Sequence, residues 1–162
     1  MSTNNFQILY DGLCQSLQVP TFKLPDTGDG PVAFHLDRQG VVVDVLYFPH
    51  TCPGYVHVLF EFGAIPYDDP RVSHIVLALL DINFLLPQPH PPALGRNPVT
   101  GDVVMRCVYP LEGMESGDLL ELIDQGAALA LEWRQDYFLN EAAVGARHRS
   151  DAALAVPVGG LA

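Results

Sequence analysis

Val32-Ala-Phe-His-Leu-Asp-Arg-Gln-Gly-Val-Val-Val-Asp-Val-Leu-Tyr-Phe48 decides the fold. In its first half Val32, Phe34 and Leu36 alternate with Ala33, His35 and Asp37. A period of two places one set of side chains on each face of a strand. Arg38-Gln-Gly40 makes a short turn, and Val41 to Phe48 is so rich in β-branched and aromatic residues that a second strand follows. After His50-Thr-Cys-Pro-Gly54 the pattern returns from Tyr55 to Phe62. Three consecutive strands on short connections predict a meandering antiparallel sheet.

Helices flank this sheet. Phe6, Leu9, Tyr10, Leu13, Cys14 and Leu17 recur at spacings of three and four behind Asn4 or Asn5 as cap, and the helix ends before Pro20. Asp69-Pro70 predicts a second helix start, with Asp accepting orphan N–H groups and Pro at the first helical position. That helix runs to about Leu86, where Pro87 stops it. The proline-rich Pro87 to Pro92 leads to an extended Ala93-Leu-Gly-Arg96, a turn from Asn97 to Asp102 and a strand from Val103 to Tyr109. Ser116 is the expected cap of a third helix. Its apolar stripe is Leu119, Leu122, Ile123, Ala127, Ala130, Leu131, Arg134 and Tyr137 or Phe138, with Glu121, Asp124, Gln125, Glu132 and Gln135 left for water. The order α-β-β-β-α-β-β-α is an α+β layout, three helices on an antiparallel sheet, over residues 1–140. Residues 141–162 are rich in Ala and Gly without a core pattern and read as a mobile tail.

Composition narrows the function classes. The 162 residues carry 8 Lys+Arg against 19 Asp+Glu, a net charge of −11, which disfavours a phosphate backbone as ligand. At 49% apolar the chain is built to fold rather than to stay disordered. The longest apolar stretch, Ile75 to Leu86, contains Asp81 and Asn83 and is too short to cross a bilayer, and no secretory leader opens the chain. The expectation is a cytoplasmic protein without membrane insertion. Cys14, Cys52 and Cys107 are odd in number with no paired spacing, so neither a disulfide framework nor a zinc knuckle is written here.

Chemistry is sparse. His50, Cys52 and His57 form the best catalytic cluster, yet their spacing matches no zinc motif and no third group orients them. His35 and His57, with Asp44 and Glu61 on nearby strands, read as a polar sheet face. The pairs Asp68-Asp69 and Asp26/Asp29 sit beside Pro or Gly and read as turn and cap residues. Phosphate loops, dinucleotide loops, nucleophile elbows and zinc-protease motifs are all missing from the sequence. The reading is a protein that is not an enzyme, with no cofactor and no metal.

Apolar surface is what the sequence has in excess. The second helix is apolar almost all round, so one face would cover the sheet and the other would serve a subunit interface. Strands two and three are apolar on both faces. One face belongs to the core helices; the other is left either for a client or for helices of the same protomer.

The chain resembles the class I chaperones of type III secretion, the family of the Tir and Yop effector chaperones. The resemblance rests on Ile65-Pro-Tyr-Asp68, Ala78-Leu-Leu-Asp-Ile-Asn83-Phe-Leu-Leu, Ala93-Leu-Gly-Arg-Asn-Pro-Val-Thr-Gly-Asp-Val-Val-Met105 and Tyr109-Pro-Leu-Glu, in that order, and spans residues 4 to 138. It implies a homodimer that holds the N-proximal segment of a secreted effector in extended form, soluble and export-competent. The implied partners are that effector, a second copy of the chain and the secretion ATPase. A small thiol/His enzyme or a non-secretion adaptor of similar fold is the alternative. With the resemblance in hand, Val76, Leu79, Leu80, Asn83 and Met105 are the expected dimer residues. Phe6, Leu13, Phe34, Leu36, Val43 and Val45 are the expected effector-binding residues, unless they form the protomer core instead.

Overall fold

The computed structural model describes residues 2–25, 28–85 and 91–140. Five strands form one antiparallel sheet: β1 (Val32–Arg38), β2 (Val41–Phe48), β3 (Cys52–Ala64), β4 (Ala93–Arg96) and β5 (Asp102–Pro110), in spatial order β1-β2-β3-β5-β4. The three helices are α1 (Ser2–Leu17), α2 (Val72–Leu85) and α3 (Ser116–Asp136). The element order is the one the sequence predicts. The tail at 141–162 and most of the proline-rich segment, residues 86–90, lie outside the described residues.

Register explains which side chains meet. Leu36 opposes Val43, Val43 opposes Phe60, Phe60 opposes Met105, and Met105 opposes Leu94. One row therefore crosses all five strands on a single face, and a parallel row runs Phe34, Val45, Val58, Cys107. That face is buried under α1 and α3, with Phe6, Leu13, Leu119, Ile123, Ala127 and Trp133 closing over it. Phe6 packs on Phe34 and Tyr47, their ring centroids 5.8 and 5.2 Å away.

Close seating of α3 needs a residue without a side chain. A Cβ on Gly126 would fall on the ring of Phe60, so glycine stands where the helix meets the sheet. Farther along, Trp133 lies against Phe62. Arg134, expected in the apolar stripe, is exposed and does something else. Its guanidinium donates to the carbonyls of Phe62 at 2.8 Å, Glu61 at 2.9 Å and Gly40 at 2.8 Å. The first two lie at the β3 irregularity between Glu61 and Gly63, where Gly63 takes φ 115°, so Arg134 satisfies acceptors that the broken ladder leaves over. Asp124, expected to face water, pairs with Arg38 on β1 through Nη2 at 3.0 Å.

The helix starts differ from the sequence expectation. Asn4 and Asn5 lie inside α1 rather than capping it. Asp69 does not cap α2: its carboxylate accepts the backbone N–H of Arg71 at 2.7 Å and its guanidinium at 2.8 Å. The same contact holds the Asp69 carboxyl down at about 2. A closed turn results, and the helix begins only at Val72. In α3 the cap is Glu115, not Ser116, and its N–H donates to Asp118 Oδ2 at 3.1 Å. A larger correction concerns α2, which does not cover the sheet. It packs chiefly along β4, at the sheet's edge, because α1 and α3 already fill the covered face.

Gly126→Ala is expected to lower unfolding stability by about 1–3 kcal/mol through overpacking against Phe60. Urea denaturation of the two proteins measures it, and an unchanged midpoint would show that α3 shifts freely.

Candidate functional site

Two surfaces remain uncovered once the core has formed. The first is the outer side of α2. Ile75, Ala78 and Ile82 turn inward, whereas Val76, Leu77, Leu80 and Phe84 stay exposed at 39%, 57%, 60% and 79%. Four large apolar side chains at helical spacing make a continuous ridge rather than scattered residues.

The second is the other face of the sheet. There Leu46, Phe48, His57, Leu59, Val104 and Val108 are half-buried by their neighbours alone, and Val42 and Tyr55 are exposed. Charged groups frame them: Asp37, Asp44, Glu61 and Arg106. Near the β4 side the face dips into a hollow of about 370 Å³ lined by Leu59, Ala93 and Val104 with Asp44, Glu61 and Arg106. His35 and Asp44 are cross-strand partners, which bears out the polar reading of that corner. No helix of the described residues packs on this face, so the alternative of helices on both faces falls away for them.

His57 is the unusual group here. Its ring stands edge-on to Phe48, and Nε2 is buried with no hydrogen-bond partner among the described residues. Burial, with Arg106 nearby, holds its pKa below the ordinary value, so the neutral imidazole is favoured. His50 lies apart from it on a turn, bonded to the Gly28 carbonyl at 3.1 Å. Neither imidazole is hydrogen-bonded to Cys52, and among the described residues no cluster of His, Cys, Asp and Glu can hold a metal ion.

A larger cavity, of about 840 Å³, opens beside α1. Its walls are α1 (Phe6, Gln7, Asp11), the connection through Phe22 and Leu24, the start of β1 at Val32, and Pro49-His50. Gln7 builds one wall: its Oε1 accepts the Leu24 N–H at 2.9 Å, and its Nε2 donates to Asp11 at 2.8 Å.

The expected site residues divide by burial. Phe6, Leu13, Phe34, Val43 and Val45 lie in the protomer core, the second of the two readings the sequence left open, and Leu36 is half-buried against it. Met105 is likewise buried. Val76 and Leu80 stand on the exposed ridge, and Leu79 packs partly on the core. Asn83 has a specific task that its residue type did not reveal. Its Oδ1 accepts the Leu94 N–H at 2.7 Å while its Nδ2 donates to the Leu94 carbonyl at 3.0 Å. One carboxamide thus takes the place of a neighbouring strand along β4. Leu77 and Phe84, the most exposed part of the ridge together with Leu80, were not among the expected interface residues, although their i, i+3 and i+7 spacing was visible.

The chain matches the model of the Tir chaperone protein (CesT) family over residues 57–134, which bears out the resemblance read from its motifs. No curated protein matches it by sequence. Among solved structures it is similar to a chain of the ExsC–ExsE complex, at 12% identity and a TM-score of 0.63 over 83% of this chain and 95% of that one. A chain of the ExoT–SpcS complex from Pseudomonas aeruginosa follows at 17% identity and 0.54, over 79% and 96%. The Yersinia pestis type III secretion chaperone SycH, solved with a fragment of YscM2, gives 11% and 0.55, over 78% and 98%. At these identities the likeness establishes the fold.

Asn83→Ala leaves the Leu94 N–H and carbonyl without partners and is expected to cost about 1–3 kcal/mol. Unfolding curves read the loss, and faster amide exchange at Leu94 locates it. Exchange at Leu94 as slow as in the parent would mean that the carboxamide does not hold this edge.

Proposed function

We propose that the protein is a homodimeric chaperone of type III secretion that binds the N-proximal segment of an effector in extended form and keeps it soluble and export-competent. The observation that carries this reading is surface left open by a completed fold, an apolar ridge on α2 suited to self-association and a cavity beside α1 and the start of β1 suited to a client. The family match and the recurrence of the fold in chains solved in complexes, a type III secretion chaperone among them, support it. The protein acts in the bacterial cytoplasm, without a cofactor and without catalysis, and passes its client to the secretion ATPase.

The α2 ridge serves the dimer. Val76 and Leu80 are its expected centre, Leu77 and Phe84 extend it, and Leu79, Asn83 and Met105 support it from beneath. The client occupies the region of the first strands and α1. Because most of the expected groove residues are in the core, Leu36 and the walls of the cavity beside α1 offer the accessible contacts. Holding a client extended prevents it from burying its own apolar groups, and burial against the chaperone replaces that without any nucleotide.

Light scattering of the purified chain is expected to give twice the protomer mass, and Leu80→Asp to give the protomer mass with the fold retained, because an unpaired carboxylate is poorly tolerated in an apolar contact. A parent that is monomeric at micromolar concentration would remove the ridge from the dimer. Effector capture is tested by co-purification from the native bacterium with mass spectrometry. A dominant secreted protein bound through its N-proximal segment is the expected result, and capture of non-secreted proteins alone would favour an adaptor.

A further inference from the structure

The open face of the sheet is graded from one end to the other. Opposed residues share a face, so its side chains fall into rows across the strands. The row nearest the β1–β2 turn holds Asp37 and Val42, then Glu61 and Val104 on β3 and β5. The next holds His35, Asp44, Leu59 and Arg106. The third is Leu46, His57 and Val108, where burial favours the neutral imidazole, and beyond it stand Phe48 and Tyr55. Carboxylates thus gather at the end near the turn, and apolar groups at the other. Ion pairs among the described residues join Arg38 to Asp124 and Arg71 to Asp69, so Asp44 and Glu61 have none there.

The chain leaves the core at that same acidic end. Arg134 holds the Gly40 carbonyl at 2.8 Å, and Phe138 packs on Phe62 with ring centroids 6.1 Å apart. After Asn140 the sequence continues as Glu-Ala-Ala-Val-Gly-Ala-Arg-His-Arg149, then Ser-Asp-Ala-Ala-Leu-Ala-Val-Pro-Val158. Arg147 and Arg149 come first, and Leu154, Val156 and Val158 come after them. Cations followed by apolar residues match a face that presents carboxylates and then apolar side chains. Fully extended chain from Asn140 to Arg147 spans at most about 25 Å, enough to round the end of one sheet. Each further pair of residues advances about 7 Å, the spacing of the rows. Residues 154, 156 and 158 share one side of an extended chain, and Pro157 favours extension at Val156. The α2 ridge of a second copy fits this face less well. It has no Lys or Arg, so it would cover the apolar rows and leave Asp44 and Glu61 without a counter-charge.

We propose that residues 141–162 occupy the open face of their own sheet, Arg147 and Arg149 meeting Asp37, Asp44 and Glu61 while Leu154, Val156 and Val158 cover Leu46 and Phe48. The segment is a built-in cover that keeps this apolar face from other copies of the chain. It leaves the α2 ridge and the cavity beside α1 accessible, so it stands apart from the chaperone reading. Its anchor is a set of exposed charge pairs, which salt weakens.

The test uses the full chain carrying Arg147→Lys and Arg149→Lys. These changes keep the charge and give a carbodiimide an amine to couple to any carboxylate in contact, and Lys23 is the chain's only other lysine. Cross-links from 147 or 149 to Asp37, Asp44 or Glu61 are expected at low salt, falling severalfold at high salt. Mixing isotope-labelled with unlabelled chains separates links within one chain from links between two. Links between copies, links only to carboxylates elsewhere in the chain, or no links at all overturn the proposal. In a second variant, Arg147→Glu with Arg149→Glu, an apolar-surface dye is expected to fluoresce severalfold more strongly while the parent's melting curve is retained. Dye binding equal to the parent's would also overturn it. Should the charge-reversed variant fail to fold, the cross-links of the lysine variant decide alone.

Discussion

How closely α3 lies on the sheet sets the terms for the rest of the molecule. Glycine at 126 lets the helix descend onto Phe60, and Arg134 then reaches three backbone carbonyls, two on β3 and one in the turn between β1 and β2. With α1 beside it on the same face, the core is filled from one side. A sheet packed on one side must leave its second face to water, to a partner or to a client. The remaining helix, α2, is meanwhile left at an edge. Covered face, open face and the outlying α2 thus follow from a single seating.

Much of this arrangement was legible in the residues. Alternation from Val32 to Phe48 announced both strands, their turn and their faces, and the order of all eight elements followed from similar local signals. Local rules failed where a neighbour outside the window intervened. Asp69 before Pro70 looks like a cap, yet Arg71 two residues on takes its carboxylate into a turn. Arg134 has the spacing of a core residue, and only the bulge in β3 shows why a cation belongs there. The excess of apolar residues in α2 was visible, but its destination was not. Hydrophobic period reports how much of a helix is shielded, not whether its own protomer shields it.

The site was read less completely for the same reason. Phe34, Val43 and Val45 have the alternation of a groove and also of a core, and the two cannot be separated until it is known which face the helices occupy. Asn83 was noticed for its place on an apolar helix. Its bonds to Leu94 depend on a strand that begins ten residues later and lies across the proline-rich link. Long-range pairing of this kind leaves no trace in local periodicity. The family motif that contains Asn83 did mark the position, without indicating the physical reason for it.

Because the core closes within one protomer and the ridge on α2 takes no part in it, folding is separate from the pairing proposed for that ridge. The first is unimolecular and indifferent to dilution; the second obeys mass action. On the dimer proposal, a newly made chain at low abundance would be a finished protomer with an apolar ridge in water, kept dispersed by its surplus of carboxylates. On the dimer proposal its pairing state would report how much of the protein the cell holds, whereas its fold would not.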